Sequence, residues 1–568
     1  MGLAAEKRGV SSENLDRQLE QLRAGAERFA RESLSKKIAW LYQMRERVAR
    51  AAERWAALTC EHQRLDAGLP MAGEAWMLGP LPTLRLLRLL SATLGDIERR
   101  GGPQLPETPR PLDSGQLALR VFPVTLADRA MLPGVHAEVR ITPDANGQLP
   151  PPASFYLQKD PPGRVAVVLG AGNVSSIPVL DTLHKLFVEG QVVLLKLNPV
   201  NEYLGPLFAE VLKPLIDQGY LAIAYGGAEV GQQLCRHPLV DEIHITGSDR
   251  THDAIVWGED EAERDRRRQL SQPLLDKRIT SELGNISPVI VVPGPYTDRQ
   301  FEAMAESIAG MVTHNASFNC VSAKMLVLPR GWPGSERLVA AIGSVFDAVP
   351  TRYAYYPGAL ERYQALTRDV TVETHGASGE GRLPWTIVRG LDERDPNTLH
   401  FRMEPFCSIL SVVELDRADE AAFLARATEF CNQTLWGTLN AMLFVAPERL
   451  DDPACAAQVE LGIQALRYGV LAVNQWSAVA YVLGTTPWGG HPSTTRSDIQ
   501  SGQGWVHNAF MLEGVEKCVL RGPLVSPFRV PWSPLHRTCQ SEMRELCAFE
   551  AEPSLWSLSK AGYHAVRG

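Results

Sequence analysis

Long apolar stretches are missing from this 568-residue chain. No segment reaches the about 18 uninterrupted apolar residues that mark a membrane-spanning helix, so no span is expected. A basic surplus is missing too: 57 Lys and Arg stand against 65 Asp and Glu, a formal net charge of −8. That balance argues against a general surface for nucleic acid or anionic membrane. Cysteine is sparse and scattered. The nine cysteines are odd in number, lie far apart and form no CxxC pair. This excludes a disulfide framework and points to reduced thiols in a cytoplasmic protein. No Cys/His cluster has zinc-ligand spacing, so no metal is expected. The amino-terminal MGLAAEKRGVSSENLDR lacks the apolar core of a signal peptide, and Glu6 stands where a myristoylation signal needs Ser or Thr.

What is present has the composition of a globular protein, 45% hydrophobic and 21% charged, and the length calls for more than one domain. Residues 14–60 carry helical spacing, with Leu15, Leu19 and Leu22 followed by Leu41 and Met44. The stretch PLPTLRLLRLLSATLGDIE (80–98) predicts a packed amphipathic helix with solvated arginines. LALRVFPV, HAEVRIT and ASFYLQ, between residues 116 and 158, predict antiparallel strands between turns. Strand and helix then alternate. RVAVVLG (164–170), VVLLKL (192–197), LAIAYGG (221–227) and DEIHITG (241–247) read as buried strands separated by helices. Repeated strand–helix–strand units predict an α/β fold with a parallel, doubly wound sheet, whose ligands lie beyond the carboxyl ends of the strands. The charged run 258–278 reads as a solvated insertion. The Pro/Trp/Arg-rich tail from 525 reads as a wrapped extension.

Several residues carry chemistry. Gly170-Ala-Gly-Asn173 is a glycine turn after a strand. Lys196 ends an otherwise apolar strand, as a snorkelling residue or as a donor to a ligand. Gly247-Ser248 closes a strand in a small turn whose N–H groups suit a phosphate. Glu282 precedes a Gly turn and a buried strand, SELGNISPVIVV. Cys320 lies in NASFNCVSAK. A lone cysteine is most often a small buried hydrophobe, and nothing within those ten residues decides otherwise.

In this order and at these spacings the elements resemble the aldehyde dehydrogenase superfamily over nearly the whole chain. Gly190-Gln-Val-Val-Leu-Leu-Lys196 resembles the family's cofactor strand, LVDEIHITGS its strand ending in Thr-Gly-Ser, and SELGNISP its Glu-Leu-Gly-Gly motif. Glu404-Pro-Phe406 resembles Glu-x-Phe, LWGTLNAMLF the Tyr-Gly-Leu region and PWGG the Pro-Phe-Gly-Gly motif. The resemblance implies an aldehyde-dehydrogenase-like α/β fold, a small-molecule aldehyde as substrate, and NAD or NADP as cofactor. It implies Cys320 as nucleophile, because a thiolate is intrinsically nucleophilic. Asn173 and the Cys320 N–H would hold the oxyanion, and Glu282 would activate water. Lys196 would bind the adenosine ribose and Glu404 the nicotinamide ribose. Phe406 would bracket the nicotinamide, while Gly247 and Ser248 would line the pyrophosphate site.

The resemblance also implies an organisation. Residues 1–114 and 159–281 would form the NAD(P)-binding domain and 282–490 the catalytic domain. Residues 115–158 and 491–524 would form an antiparallel arm and 525–568 an extension. Arms of this kind pair protomers, so a homodimer or homotetramer is expected; an isolated arm also leaves open sheet edges. Three departures stand out. Phe318 precedes the nucleophile and is expected to reshape the pocket beside the thiol, where Trp476 is the other lining candidate. Pro199 replaces a carboxylate three residues after Lys196, which leaves NAD and NADP both open. His252 replaces a glycine near the pyrophosphate turn, as a donor or an obstruction. Acid formation has two alternatives: transfer of the acyl group to coenzyme A, or its reverse, and a non-catalytic protein of the same fold.

Overall fold

The computed structural model describes residues 12–416 and 419–568. The expectation about the amino terminus falls outside the described residues up to position 11. Two sheets organise the chain. The first has five strands, all parallel: Leu221–Ala224, Val192–Lys196, Val165–Leu169, Glu242–Gly247 and Arg278–Leu283, in that spatial order. Its central strands, VAVVL and VVLLK, are buried along their whole length, as expected of a parallel sheet covered on both faces. Helix Ile177–Phe187 follows the first of them and helix Ala228–Arg236 the third. This α/β core matches the expected fold class.

The second sheet has eleven strands. Its centre is parallel and runs through Val470–Val473, Asn440–Phe444, Pro288–Val291, Met325–Pro329, Ile409–Leu415 and Trp385–Arg389. A short covalent link joins the two sheets. Arg278–Leu283 is the last strand of the first sheet, and four residues later Pro288–Val291 is in the middle of the second. Residues 282–287 are therefore the seam between the sheets.

The expected arm takes a different form. Leu117–Phe122 and His136–Ile141 do pair antiparallel with each other and with Val515–Arg521. Val515–Arg521 also pairs in parallel with Val470–Val473 of the same chain, Val470 opposite Cys518. The arm is thus the end of the eleven-stranded sheet, and its inner edge is filled. The outer edge, Arg110–Pro111, is left open, and a proline blunts it. ASFYLQ is not a strand but a short 3₁₀ turn, Ser154–Leu157. Phe155 sits over Gly190, where a Cβ would come within 2.0 Å of its ring. That contact ties the segment to the end of a helix and away from the sheet.

Two long helices, Ser12–Ala30 and Leu34–His62, account for the amino-terminal periodicity, and Pro80–Arg100 is the expected amphipathic helix. Its arginines are not all solvated. Arg85 is 4% exposed and donates to Leu483 O at 2.8 Å, Glu550 at 2.7 Å and Asp128 at 3.0 Å. Glu550 belongs to Cys539–Ala551, the first of two helices formed by the carboxyl-terminal segment. Helix Glu261–Leu270, within the charged run, has no buried residue. Among the described residues no helix is long and apolar enough to cross a membrane, and no group of three or more acidic, His or Cys side chains is placed to hold a metal.

Candidate active site

Two turns and a strand end converge at the seam. Glu282 is on the edge strand Arg278–Leu283. Cys320 lies between helix Asp298–Thr313 and strand Met325–Pro329, and Asn173 follows strand Val165–Leu169. The Cys320 thiol and the Glu282 carboxyl are close enough to act on each other's ionisation. The Asn173 amide donates one of its two hydrogens to Phe318 O at 2.8 Å, which leaves the other for a ligand.

The loop that carries the thiol is strained and firmly braced. Asn315, Ala316 and Ser317 have φ of 56°, 52° and 72°, a left-handed run that non-glycine residues hold only where their surroundings impose it. Asn315 supplies the brace. Its amide nitrogen donates to Asn173 O and Asn319 Oδ1, both at 3.0 Å, and its Oδ1 accepts from Gln63 at 2.8 Å and Tyr355 at 2.9 Å. Its backbone N–H donates to Glu74 at 3.0 Å. The Cys320 carbonyl accepts from Ser287 Oγ at 2.9 Å and from Lys324 Nζ at 3.0 Å. No acceptor among the described residues takes the Cys320 N–H. That N–H and the second Asn173 hydrogen are the two donors an oxyanion at the thiol would need.

Electrostatics fit a thiol held in reserve. Burial pushes the Cys320 thiol well above its usual value, the Glu282 and Glu404 carboxylates add to this, and Lys324 opposes it. Burial and then the charge of Asp181 push Glu282 up to about 8. Asp181 itself lies in a buried cluster behind Glu282. It accepts from Thr246 Oγ1 at 2.7 Å, with His244 Nε2 at 3.4 Å and His507 Nε2 at 3.8 Å. Against the cost of burial, the two histidines hold it below the usual carboxylate range. In front of the thiol is a narrow, apolar pocket of about 30 Å³ lined by Met77, Val174, Trp476, Tyr481 and Trp488, room for a water or two.

A thiol, a carboxyl of raised pKa and two available N–H donors thus meet at the seam between the sheets. Residues 137–346 match the model of the aldehyde dehydrogenase family. The NAD-dependent aldehyde dehydrogenase of Sinorhizobium meliloti superposes with a TM-score of 0.60 at 17% identity, covering 92% of this chain and 89% of that one. The fold is that of the aldehyde dehydrogenase superfamily. The NADP-dependent glyceraldehyde-3-phosphate dehydrogenase of Bacillus halodurans C-125, solved with NADP, gives a TM-score of 0.60 at 16% identity over 90% of this chain and 91% of that one. Among curated proteins, the 4-trimethylaminobutyraldehyde dehydrogenase of Oryzias latipes is 30% identical over 145 residues, 25% of this chain and 26% of that protein. The chain thus matches about a quarter of the length of the first such relatives.

The residues expected at an aldehyde dehydrogenase cofactor site lie along the same face. Lys196 ends its strand 7% exposed, with no acceptor for its Nζ among the described residues. Burial lowers its pKa, and the charges of Glu202 and Glu229 oppose that. Two carboxylates therefore act on this ammonium although position 199 is a proline. Gly172 must be glycine, since a Cβ there would meet Asn198 Oδ1 at 2.7 Å. A Cβ on Gly247 would meet nothing nearer than Ile245 at 3.7 Å, so space is open beyond that strand. The Ser248 hydroxyl caps its own helix, Asp249–Val256, by accepting from Thr251 N. An orphan ammonium at one strand end and open backbone at the next fit the ribose and phosphate end of a dinucleotide.

The other end is engaged by the protein itself. Glu404 forms a close ion pair with Lys324 and occupies the space over Gly284, where a Cβ would lie 1.8 Å from its Oε2. Sequence reasoning missed Lys324. Only its place four residues after the cysteine, inside NASFNCVSAK, hinted at it. Phe406 stands at φ 43° with its ring against Tyr356 and Phe318, centroids 4.9 and 5.7 Å apart. Phe318 therefore does not reshape the thiol pocket. It is 1% exposed and faces the Tyr355–Tyr356–Phe406 cluster, because the left-handed run before it turns its side chain away from Cys320. Trp476 does line the pocket. His252 is buried beside Asp253, Nδ1 to Oδ1 3.3 Å, and does not fill the turn at Gly247.

Proposed function

We propose that this protein oxidises an aldehyde to a carboxylic acid with NAD or NADP. The observation that carries the proposal is the pairing of the Cys320 thiol with the Glu282 carboxyl beside the two donors of the oxyanion cradle. Glu282 accepts the thiol proton, and Cys320 adds to the aldehyde carbonyl to give a thiohemiacetal. The Asn173 amide and the Cys320 N–H hold the oxyanion. When bound, the nicotinamide supplies the acceptor for the hydride that leaves this carbon. The product on Cys320 is a thioester. Glu282, ionised again, takes a proton from water as it attacks, and the acid and the free thiol are released.

Lys196, Gly247 and Ser248 hold the ribose and phosphate end of the cofactor in this reading, and Glu404 and Phe406 the nicotinamide end once Glu404 leaves Lys324. The division into an NAD(P)-binding domain (1–114, 159–281), a catalytic domain (282–490), an arm and an extension belongs to the same proposal. So do a cytoplasmic site, supported by free thiols at positions such as Cys60, Cys235 and Cys407, and a homodimer or homotetramer joined through the arm's outer edge.

The test is NADH or NADPH formation from a panel of aldehydes, with Cys320→Ser as the control. Turnover that falls at least a thousandfold in Cys320→Ser, with cofactor binding kept, supports the reading. A rate that requires coenzyme A replaces water by a thiol acceptor. No turnover and no binding of either cofactor at millimolar concentration leaves a non-catalytic protein of this fold.

A further inference from the structure

The pocket at Cys320 has almost no depth, yet it does not end blindly. Met77, Trp476, Ala478 and Val482 line it on one side and, on the other, line a second cavity of about 110 Å³. An apolar cavity of about that size stays dry and takes a molecule such as benzene. The divide between the two is thin and partly movable. Met77 has an unbranched side chain that adapts to what packs against it, and Trp476 is fixed by donating to Val321 O at 2.7 Å.

The far wall of this second chamber is built by the carboxyl-terminal segment. Pro531, Trp532, Met543 and Leu546 line it, with Phe122 at the end of strand Leu117–Phe122 and Leu132 from the connection to His136–Ile141. Trp532 stands 5.9 Å from Trp476, ring to ring. The segment is firmly seated. A Cβ on Gly310 would lie 2.3 Å from Trp532 O, and one on Gly73 2.5 Å from Cys539 Sγ. Three charged side chains also reach the wall, Arg85, Glu542 and Glu550, and Arg85 and Glu550 are engaged by protein. Arg85 spends its donors on Leu483 O, Glu550 and Asp128. Glu550 also accepts from Arg88 at 2.6 Å, whereas Glu542 Oε2 lies 2.9 Å from His536 Nε2 without a hydrogen bond to it. The chamber offers a ligand a mainly apolar surface, with the Glu542 carboxylate at its wall.

We infer that the carboxyl-terminal extension completes the substrate site, and that the chamber behind Trp476 takes the uncharged apolar tail of an alkyl aldehyde whose carbonyl is at Cys320. The inference rests on the proposed reading of Cys320 as nucleophile. Burying a methylene contributes roughly fourfold in affinity, so kcat/KM rises with chain length until the chamber is full.

The experiment uses the full chain and straight-chain aldehydes from propanal to decanal. Octanal should exceed propanal in kcat/KM at least thirtyfold. Met543→Trp, which fills the chamber, should lower the octanal-to-propanal ratio at least tenfold, and Met543→Ala should move the optimum to longer chains. A flat chain-length profile, a ratio unmoved in both variants, or a preference for a cationic aldehyde of matched length overturns the inference while aldehyde oxidation stands. If no aldehyde is oxidised, calorimetry with unreactive octanamide separates the two ideas. Binding that is lost in Met543→Trp supports the chamber although the reaction is something else, and no binding overturns it.

Discussion

The guanidinium of Arg85 donates to the carboxylate of Glu550 at 2.7 Å, across 465 residues of sequence. The pair is buried, with side chains 5% and 3% exposed, and Asp128 completes the ring of charge at 3.0 Å from Arg85. Removing one member leaves the others buried without their partner, which typically costs about 3–5 kcal/mol. Glu550→Ala should therefore lower stability to urea by about that amount and loosen the helix Cys539–Ala551 first. Hydrogen exchange of that helix, compared with strand Val165–Leu169, checks it. Equal loss of protection at both places would mean that the clamp holds nothing local.

A second pair acts on the thiol. Lys324 shares its ammonium between the Cys320 carbonyl and the carboxylate of Glu404. Its charge lowers the thiol pKa, while that of Glu404 raises it. Lys324→Met should slow alkylation of Cys320 by iodoacetamide at pH 8 about tenfold. Lys324→Met with Glu404→Gln should recover part of that loss, because the opposing charge has gone too. No recovery in the double variant would show that the Glu404 charge does not act on the thiol.

Lys196 is crowded by acid, and that bears on cofactor choice. Glu202 accepts the Gly226 N–H at 2.8 Å, and both Glu202 and Glu229 act on the Lys196 ammonium. A 2′-phosphate placed there meets two carboxylates. NAD should bind at least tenfold more tightly than NADP by calorimetry, and Glu202→Gln should narrow the gap at least threefold. Equal binding in the unaltered protein would mean that the ribose lies elsewhere.

The proposed site residues that sequence reasoning named share one property. Cys320, Glu282 and Asn173 each lie at or just beyond the end of a regular strand or helix, where composition and order are informative. The parts it missed are partnerships over distance. Lys324 needs Glu404, 80 residues on, and Arg85 looked like a solvated stripe until Glu550 and Asp128 were beside it. Asp181 reads as a helix residue in IPVLDTLHKLF, and only the fold sets it behind Glu282. Phe318 was misplaced for a local reason. Three left-handed residues before it reverse the side on which its ring lies, and no propensity predicts such a run. The arm was found as strands but not as the end of its own chain's sheet, because a pairing partner is not a property of the strand alone.

In the proposed reaction Glu282 and its neighbour Asp181 govern the acid side of the pH profile. Glu282 would have to be ionised to activate water, and its carboxyl is pushed up to about 8, by burial first and by the Asp181 charge next. Below that pH the proton stays on Glu282 and the base is lost, so hydrolysis of the acyl-enzyme should rise about tenfold per pH unit and level off above about 8. Asp181→Asn removes the negative neighbour, so Glu282 ionises more easily and the rising limb should move to lower pH. Because the thiol and Glu282 act on each other's ionisation, the measurement is made where the thiol is already acylated. Cys320 is loaded from an activated ester, and single-turnover deacylation is followed from pH 6 to 10 in both proteins. A limb that stays in place in Asp181→Asn, in protein that still folds and still acylates, would remove Asp181 from the account. A limb that moves to higher pH would mean that the cluster of Asp181, His244 and His507 acts on Glu282 as a net positive group.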